Sequence, residues 1–361
     1  MHGGKSGVIL HAMNEQDMEK KKKTRKRIGT ALFILLNVAV IAVTAGIEFG
    51  SERAISRNDL LDMKPWYLTA VAGCFLCALA AETAKYYLLM RESAGKGTLQ
   101  QAFQVAALGK YYDFITPLSA GGQPFQVIYL SRIGLDAGSA GAVPLAGYLY
   151  RHAAFVIISV ITLLCGGAGV RSAALLIPAC IGLLCIILVP AAIILFAVAP
   201  ALTERVVHWC LTLLQKLKLL RDVEDREAVV LRALGSYTQS LKLLGRDKRM
   251  FFWAVVCSTV FECALAFMPY FVLRAFGNTI GFWSVFRSCV LIYLSVTFIP
   301  TPGNSGAAEG SFYALFAVLG QGHLFWAMLV WRFFCYYAFL VVGLLVQARI
   351  ATRGYQPAEG K

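Results

Sequence analysis

Tyr111-Tyr112-Asp113-Phe114-Ile115-Thr116-Pro117-Leu118-Ser119-Ala120-Gly121-Gly122-Gln123-Pro124-Phe125 lies inside a moderately apolar segment, residues 99–132. Thr116-Pro117, Gly121-Gly122 and Pro124 forbid one straight helix there, because proline removes an N–H donor and clashes with the preceding turn, and paired glycines loosen the backbone. Two half-helices around an irregular tip satisfy the pattern. In hydrocarbon each unpaired backbone N–H or C=O costs several kcal/mol, so such a tip survives only where protein or a water-filled cavity satisfies it.

The surroundings of this segment are those of a membrane. Of 361 residues, 58% are hydrophobic and 15% charged, and mean hydropathy is +0.65, well above a soluble fold. Apolar runs long enough to cross about 30 Å of hydrocarbon occur at 28–47, 66–90, 142–166, 173–199, 250–273 and 323–346. A second broken segment spans 282–320 and is interrupted by Pro300-Thr301-Pro302-Gly303-Asn304-Ser305-Gly306-Ala307-Ala308-Glu309-Gly310. The expected fold class is therefore all-α: a polytopic membrane protein with about six full transmembrane helices and two broken, re-entrant helical hairpins. Both tips carry Thr-Pro, then Ser and Gly, then a polar side chain, which reads as an inverted-topology repeat framing a site near the midplane.

Charge sets the orientation. Residues 1–27 form a basic tail (Lys5, Lys20 to Lys23, Arg25, Lys26, Arg27), whereas 48–65 carry more acid than base. By the positive-inside rule the tail is cytosolic, and counting spans places a connector at 200–249 and the end at 349–361, with Arg349 and Arg353, on the same side. The chain then divides into the tail 1–27, a first membrane half 28–199 holding the segment 99–132, the amphipathic connector 200–249, a second half 250–348 holding 282–320, and the tail 349–361. Leu211, Leu214, Leu217 and Leu220 of the connector recur at helical spacing, suited to packing on the bundle or lying on a membrane or partner surface. The net charge of +14 is a topology signal rather than a nucleic-acid footprint. The ten cysteines fall mostly in apolar runs and read as small buried hydrophobes,. Cys74 and Cys77 lack a second pair, so no metal or cofactor is expected.

An intramembrane charge costs at least about 2.5 kcal/mol at the bilayer centre. Glu82 with Lys85, and Lys110 with Asp113, are spaced for local ion pairs, and Lys85, Lys110 and Arg287 are also candidates for snorkelling to an interface. Arg151, Glu262, Glu309 and Arg332 lie deeper and read as cavity residues. His152 reads as a satisfied polar residue. The half-helices starting near Gln123 and Ala307 offer free N–H donors to an anion such as phosphate; as plain Gly/Pro kinks they would offer nothing. The candidate binding set is Asp113, Thr116, Ser119, Gly121, Gly122, Gln123, Arg151, Glu262, Thr301, Gly303, Asn304, Ser305, Gly306, Glu309 and Arg332, with no catalytic residue among them.

The motif from Tyr111 to Pro117 with Ser119 to Gln126, the second motif from Pro300 to Gly310, and Arg332 with Tyr336-Tyr337 and Gly343 resemble the signatures of the lysylphosphatidylglycerol synthase transmembrane-region family, the flippase-like part of the multiple peptide resistance factor. The resemblance covers essentially the whole membrane region. It implies movement of polar-headed lipids, such as aminoacylated phosphatidylglycerol, between leaflets of the cell membrane. Family members that synthesise that lipid carry a soluble C-terminal transferase domain, whereas this chain ends fifteen residues after Val346, so a stand-alone translocase with both termini cytosolic is expected. Membrane lipids are the expected partners, with a separate lipid synthase and self-association left open. Two other readings stay open, a membrane-embedded lipid-modifying enzyme and a scaffold for a synthase. Against the enzyme stands the lack of a cluster with metal-ligand spacing or a nucleophile with an obvious base.

Overall fold

The computed structural model of the chain describes residues 63–116, 119, 121–165, 173–216, 247–297, 299, 304, 306–316 and 324–358, with single positions 231, 235 and 238. The expected span at 28–47, the basic tail, most of the connector, and Thr301, Gly303 and Ser305 lie outside the described residues.

Every described element is a helix. Trp66–Ala94 (α1) ends on Gly95 in the left-handed region (φ 61°), and its N–H closes on Arg91. Leu99–Ile115 (α2) opens with a capping box in which Thr98 and Gln101 satisfy each other's backbone N–H groups,. Gly122–Arg132 (α3) completes the first broken segment. Ala137–Leu164 (α4) is capped by Asp136, whose side chain accepts from Ser139. Ala173–Val198 (α5) and Pro200–Lys216 (α6) follow. Lys248–Ala275 (α7), capped by Asp247, leads to Phe282–Val296 (α8) and Ala307–Phe316 (α9). Leu324–Arg332 (α10) passes through a π-helical turn, Phe333–Tyr337, into Ala338–Arg353 (α11).

Among the described residues, five helices are long and apolar enough to cross a membrane: Trp66–Ala94, Ala137–Leu164, Leu176–Phe196, Lys248–Ala275 and Leu324–Arg353. Their outward faces are apolar; on α5, Ile177, Ile181, Leu184 and Leu188 are all exposed, which only a hydrocarbon surround makes favourable. Cys77, Cys165 and Cys180 are exposed, so the reading of the cysteines as small buried hydrophobes is corrected for these three: they are small apolar side chains, and lipid accepts those as readily as a core does.

α7 packs along α1, and α2 packs between α1 and α11. α2 and α3 fold back on each other as an antiparallel hairpin: Asp113 meets Gly122, Tyr112 stacks on Phe125, and Gln104 meets Tyr129. At one end of the bundle Met90, Ala102, Leu130, Met250 and Val346 share a cluster. The C-terminal tail docks there, with Ala358 N–H on Ile133 O at 2.7 Å and Gln101 Nε2 on Gln356 O at 3.1 Å. That end also carries Arg91, Arg132, Lys248 and Arg353. At the other end Lys64 N–H meets Ala275 O at 2.9 Å, and Phe267 and Tyr270 of α7 contact Phe282 at the start of α8. The first broken segment thus enters from the basic end and the second from the opposite one.

Candidate functional site

The two interruptions face a single cavity of about 500 Å³, within the range of ligand sites,. Ser119 and Gln123 reach it from the first interruption, and Thr297, Asn304 and Ala308 from the second. Ser119 and Asn304 are the described non-glycine residues with positive φ, 51° and 53°. Each stands three residues after the Thr of its Thr-Pro pair. A left-handed conformation costs such residues roughly 1–2 kcal/mol, and both outliers sit where the two tips meet the cavity.

The walls are unusually charged for a membrane interior. Glu82 and Lys85 come from α1, Lys110 and Asp113 from α2, Arg151 from α4, Glu262 from α7 and Arg332 from α10. Lys85 Nζ pairs with Glu82 Oε2 at 2.8 Å, as the spacing of three predicts, and also donates to Gly147 O at 3.4 Å. Lys85 is fully buried and Lys110 is 4% exposed, so neither snorkels; the sheltered cavity replaces the interface as their polar surround. Arg287 is half-buried and does not line the cavity. Two further ion pairs join elements distant in sequence. Arg151 Nε meets Glu262 Oε1 at 2.6 Å across α4 and α7, and Arg332 Nε meets Glu309 Oε1 at 2.5 Å across α10 and α9. His152 Nδ1 lies 2.9 Å from Tyr148 O, a satisfied position, and its ring also borders the cavity.

Lys110 and Asp113 do not form the expected local pair. The Asp113 carboxylate turns to the start of α3 and accepts the Gly122 N–H at 3.0 Å. Lys110 Nζ lies 4.3 Å from the Phe261 ring centroid. Thr116 Oγ1 accepts the Gly121 N–H at 2.8 Å, and at the second interruption Glu309 Oε2 accepts the Gly306 N–H at 2.7 Å. Protein side chains therefore already occupy donors at both half-helix starts that a phosphate would use. Of the sequence candidates, Asp113, Ser119, Gln123, Arg151, Glu262, Asn304 and Arg332 line the cavity. Thr116, Gly121, Gly122, Gly306 and Glu309 stand behind it, holding the tips and Arg332 in place.

Sequence reasoning placed no cavity role on Glu82, Tyr86, Gln126, Tyr148 or Tyr293, which also line the space. The readable signal was helical spacing: Glu82, Lys85 and Tyr86 share one face of α1, as Lys110, Asp113 and Phe114 do on α2. Gln126 is bound into the hairpin, with Nε2 on Val105 O at 3.0 Å and Oε1 receiving Tyr86 at 3.3 Å. The π-helical turn directly after Arg332 gives the last span an extra residue per turn, and from this region Trp331, Arg332, Cys335 and Tyr336 face the cavity.

This architecture is that of an all-α polytopic membrane protein holding an ionisable cavity between two interrupted helices. The chain belongs to the lysylphosphatidylglycerol synthase TM region family, which matches residues 28–343. Among curated proteins, none matches the chain.

Proposed function

We propose that the protein is a lipid translocase that moves a polar, phosphate-containing headgroup between leaflets through the cavity while the acyl chains stay in the hydrocarbon. The observation that carries this reading is a cavity of about 500 Å³ lined by seven acidic and basic side chains, Glu82, Lys85, Lys110, Asp113, Arg151, Glu262 and Arg332, among spans whose outer faces are apolar. Charged residues cost too much in a bilayer to serve packing alone. Val189 of α5 lines the cavity and is 49% exposed, so the space reaches the lipid-facing surface. Entry of the two broken segments from opposite ends, and a positive φ at the same offset from both Thr-Pro pairs, support an inverted repeat of re-entrant hairpins, an arrangement suited to alternating access. The gathering of basic residues at one end supports cytosolic placement of that end and of the C-terminus. Family membership supports a lipid as the substrate.

The test is leaflet exchange in proteoliposomes containing only this protein and a headgroup-labelled phospholipid in one leaflet. Faster exchange than in protein-free vesicles, slowed by Arg151→Gln, is expected. No acceleration with intact lipid would leave a scaffold for a separate synthase, and a chemically altered lipid would make the protein an enzyme; either overturns the reading.

A further inference from the structure

The cavity's charges do not cancel locally. Among the described residues, Lys85, Arg151 and Arg332 each have a carboxylate at hydrogen-bonding distance, and Lys110 has none. Its ammonium rests over Phe261 at 4.3 Å, and the Arg151 guanidinium lies 5.1 Å from the same ring, so two cations lie against one aromatic side chain. Asp113, one turn along α2, is committed to the Gly122 N–H at the positive end of α3,. Two other donors of cavity-lining residues, Tyr293 Oη–H and Trp331 Nε1–H, also lack a hydrogen-bond partner. The unmet groups are thus the Lys110 ammonium and neutral donors, while Glu82 and Glu262 are held by cations and Asp113 by a backbone N–H. A buried unpaired ammonium is costly, and what compensates it is an anion rich in acceptor oxygens. A second ammonium group would meet only Asp113, whose carboxylate already holds the Gly122 N–H.

We propose that Lys110 is the anion-binding residue of this cavity and that it takes the phosphate of an anionic lipid headgroup. A flexible ammonium suits a phosphate as a point charge, and phosphate is the anion a bilayer supplies where Val189 opens the cavity to lipid. The inference rests on the translocase reading for the lipid as the source of the phosphate.

The experiment follows the melting temperature of the full chain in a nonionic detergent with three probes: dihexanoyl phosphatidylglycerol, dihexanoylglycerol, and inorganic phosphate at matched ionic strength. Phosphatidylglycerol should raise the melting temperature of the wild type and dihexanoylglycerol should not. Lys110→Met should lose the shift and Lys110→Arg should keep most of it. Ligand-free Lys110→Met should melt at or above the wild type, because the change removes an unpaired buried charge. A Lys110→Met variant that keeps the shift, or that melts well below wild type without ligand, overturns the proposal; the second result would make Lys110 a structural counter-ion. A full Lys110-dependent shift with inorganic phosphate alone overturns the lipid source. Leaflet exchange separates the two readings. Wild-type exchange in Lys110→Met would overturn this inference and leave the translocase standing, whereas a Lys110-dependent shift with no exchange would support the anion site and remove the translocase.

Discussion

Glu309 uses its two oxygens for different tasks: Oε2 closes the start of α9 on Gly306, and Oε1 holds Arg332. Both partners of the ion pair are buried, at 6% and 5% exposure. Glu309→Gln keeps an acceptor for Gly306 but removes the negative charge facing the guanidinium, so it should lower stability by about 3–5 kcal/mol, as breaking a buried pair does,. The double variant Glu309→Gln with Arg332→Gln should recover most of that loss in a denaturation series. If leaflet exchange recovers with stability, the pair is structural; if stability returns and exchange does not, the pair acts on the headgroup. Gly122 is a second residue-scale case. The sequence marks it as a flexible tip residue, yet a Cβ there would stand 2.3 Å from Asp113 Oδ1 and 2.5 Å from Gly109 O. It is required for space, which no local pattern reveals. Gly122→Ala should cost about 1–3 kcal/mol through overpacking, read as a lower melting temperature. The wild-type value would show that α3 can move away from α2. Gly306 differs, because its φ of 87° is itself a glycine requirement, and there the sequence reading of backbone freedom applies.

Among elements, the last span is the informative one. Its hydropathy reads as a continuous helix, and the π-helical turn at Phe333–Tyr337 leaves no composition signal, since it arises where neighbours favour one extra residue in the ladder. Deleting the half-exposed Phe333 should restore regular α geometry while leaving Arg332 and α11 nearly in phase, because the wider turn at Phe333–Tyr337 absorbs the one extra residue,. The variant should then keep the Glu309 contact and melt near the wild type; the stability loss of Glu309→Gln would mean that the wider turn itself positions Arg332. α4 shows the opposite case, a helix start written locally. Asp136 accepts the Ser139 N–H at 2.9 Å, and this hydrogen bond holds its carboxyl below the usual carboxylate range. Asp136→Ala should cost about 1 kcal/mol. Because the folded-state value is depressed, the contribution of the cap is present at neutral pH and should fade as pH falls through that depressed value. The difference between wild type and Asp136→Ala in an acid melting series should shrink accordingly, and a pH-independent difference would assign the loss to something other than the charged cap.

For the whole molecule, orientation is the prediction that charge carries. Arg91, Arg132, Lys248 and Arg353 stand at one end and Asn278 follows the opposite end of α7. A cysteine at Asn278 should react with an impermeant thiol reagent in intact cells, and one at Ser236 in the connector only after permeabilisation. The reverse labelling would invert the topology. The all-α membrane class, five of the expected spans and both interruptions were legible in the sequence, because the cost of exposing apolar side chains to water, or unpaired backbone to lipid, is set by short stretches of chain. The Glu82 and Lys85 pair was legible for the same reason, being fixed by the pitch of one helix. The meeting of both tips at one cavity, the Arg151–Glu262 pair across α4 and α7, the turning of Asp113 toward Gly122, and the resulting isolation of Lys110 were decided only by tertiary structure. These depend on which helix faces meet and at what depth, and a charge three residues away along a helix loses to a backbone N–H that the fold brings nearer.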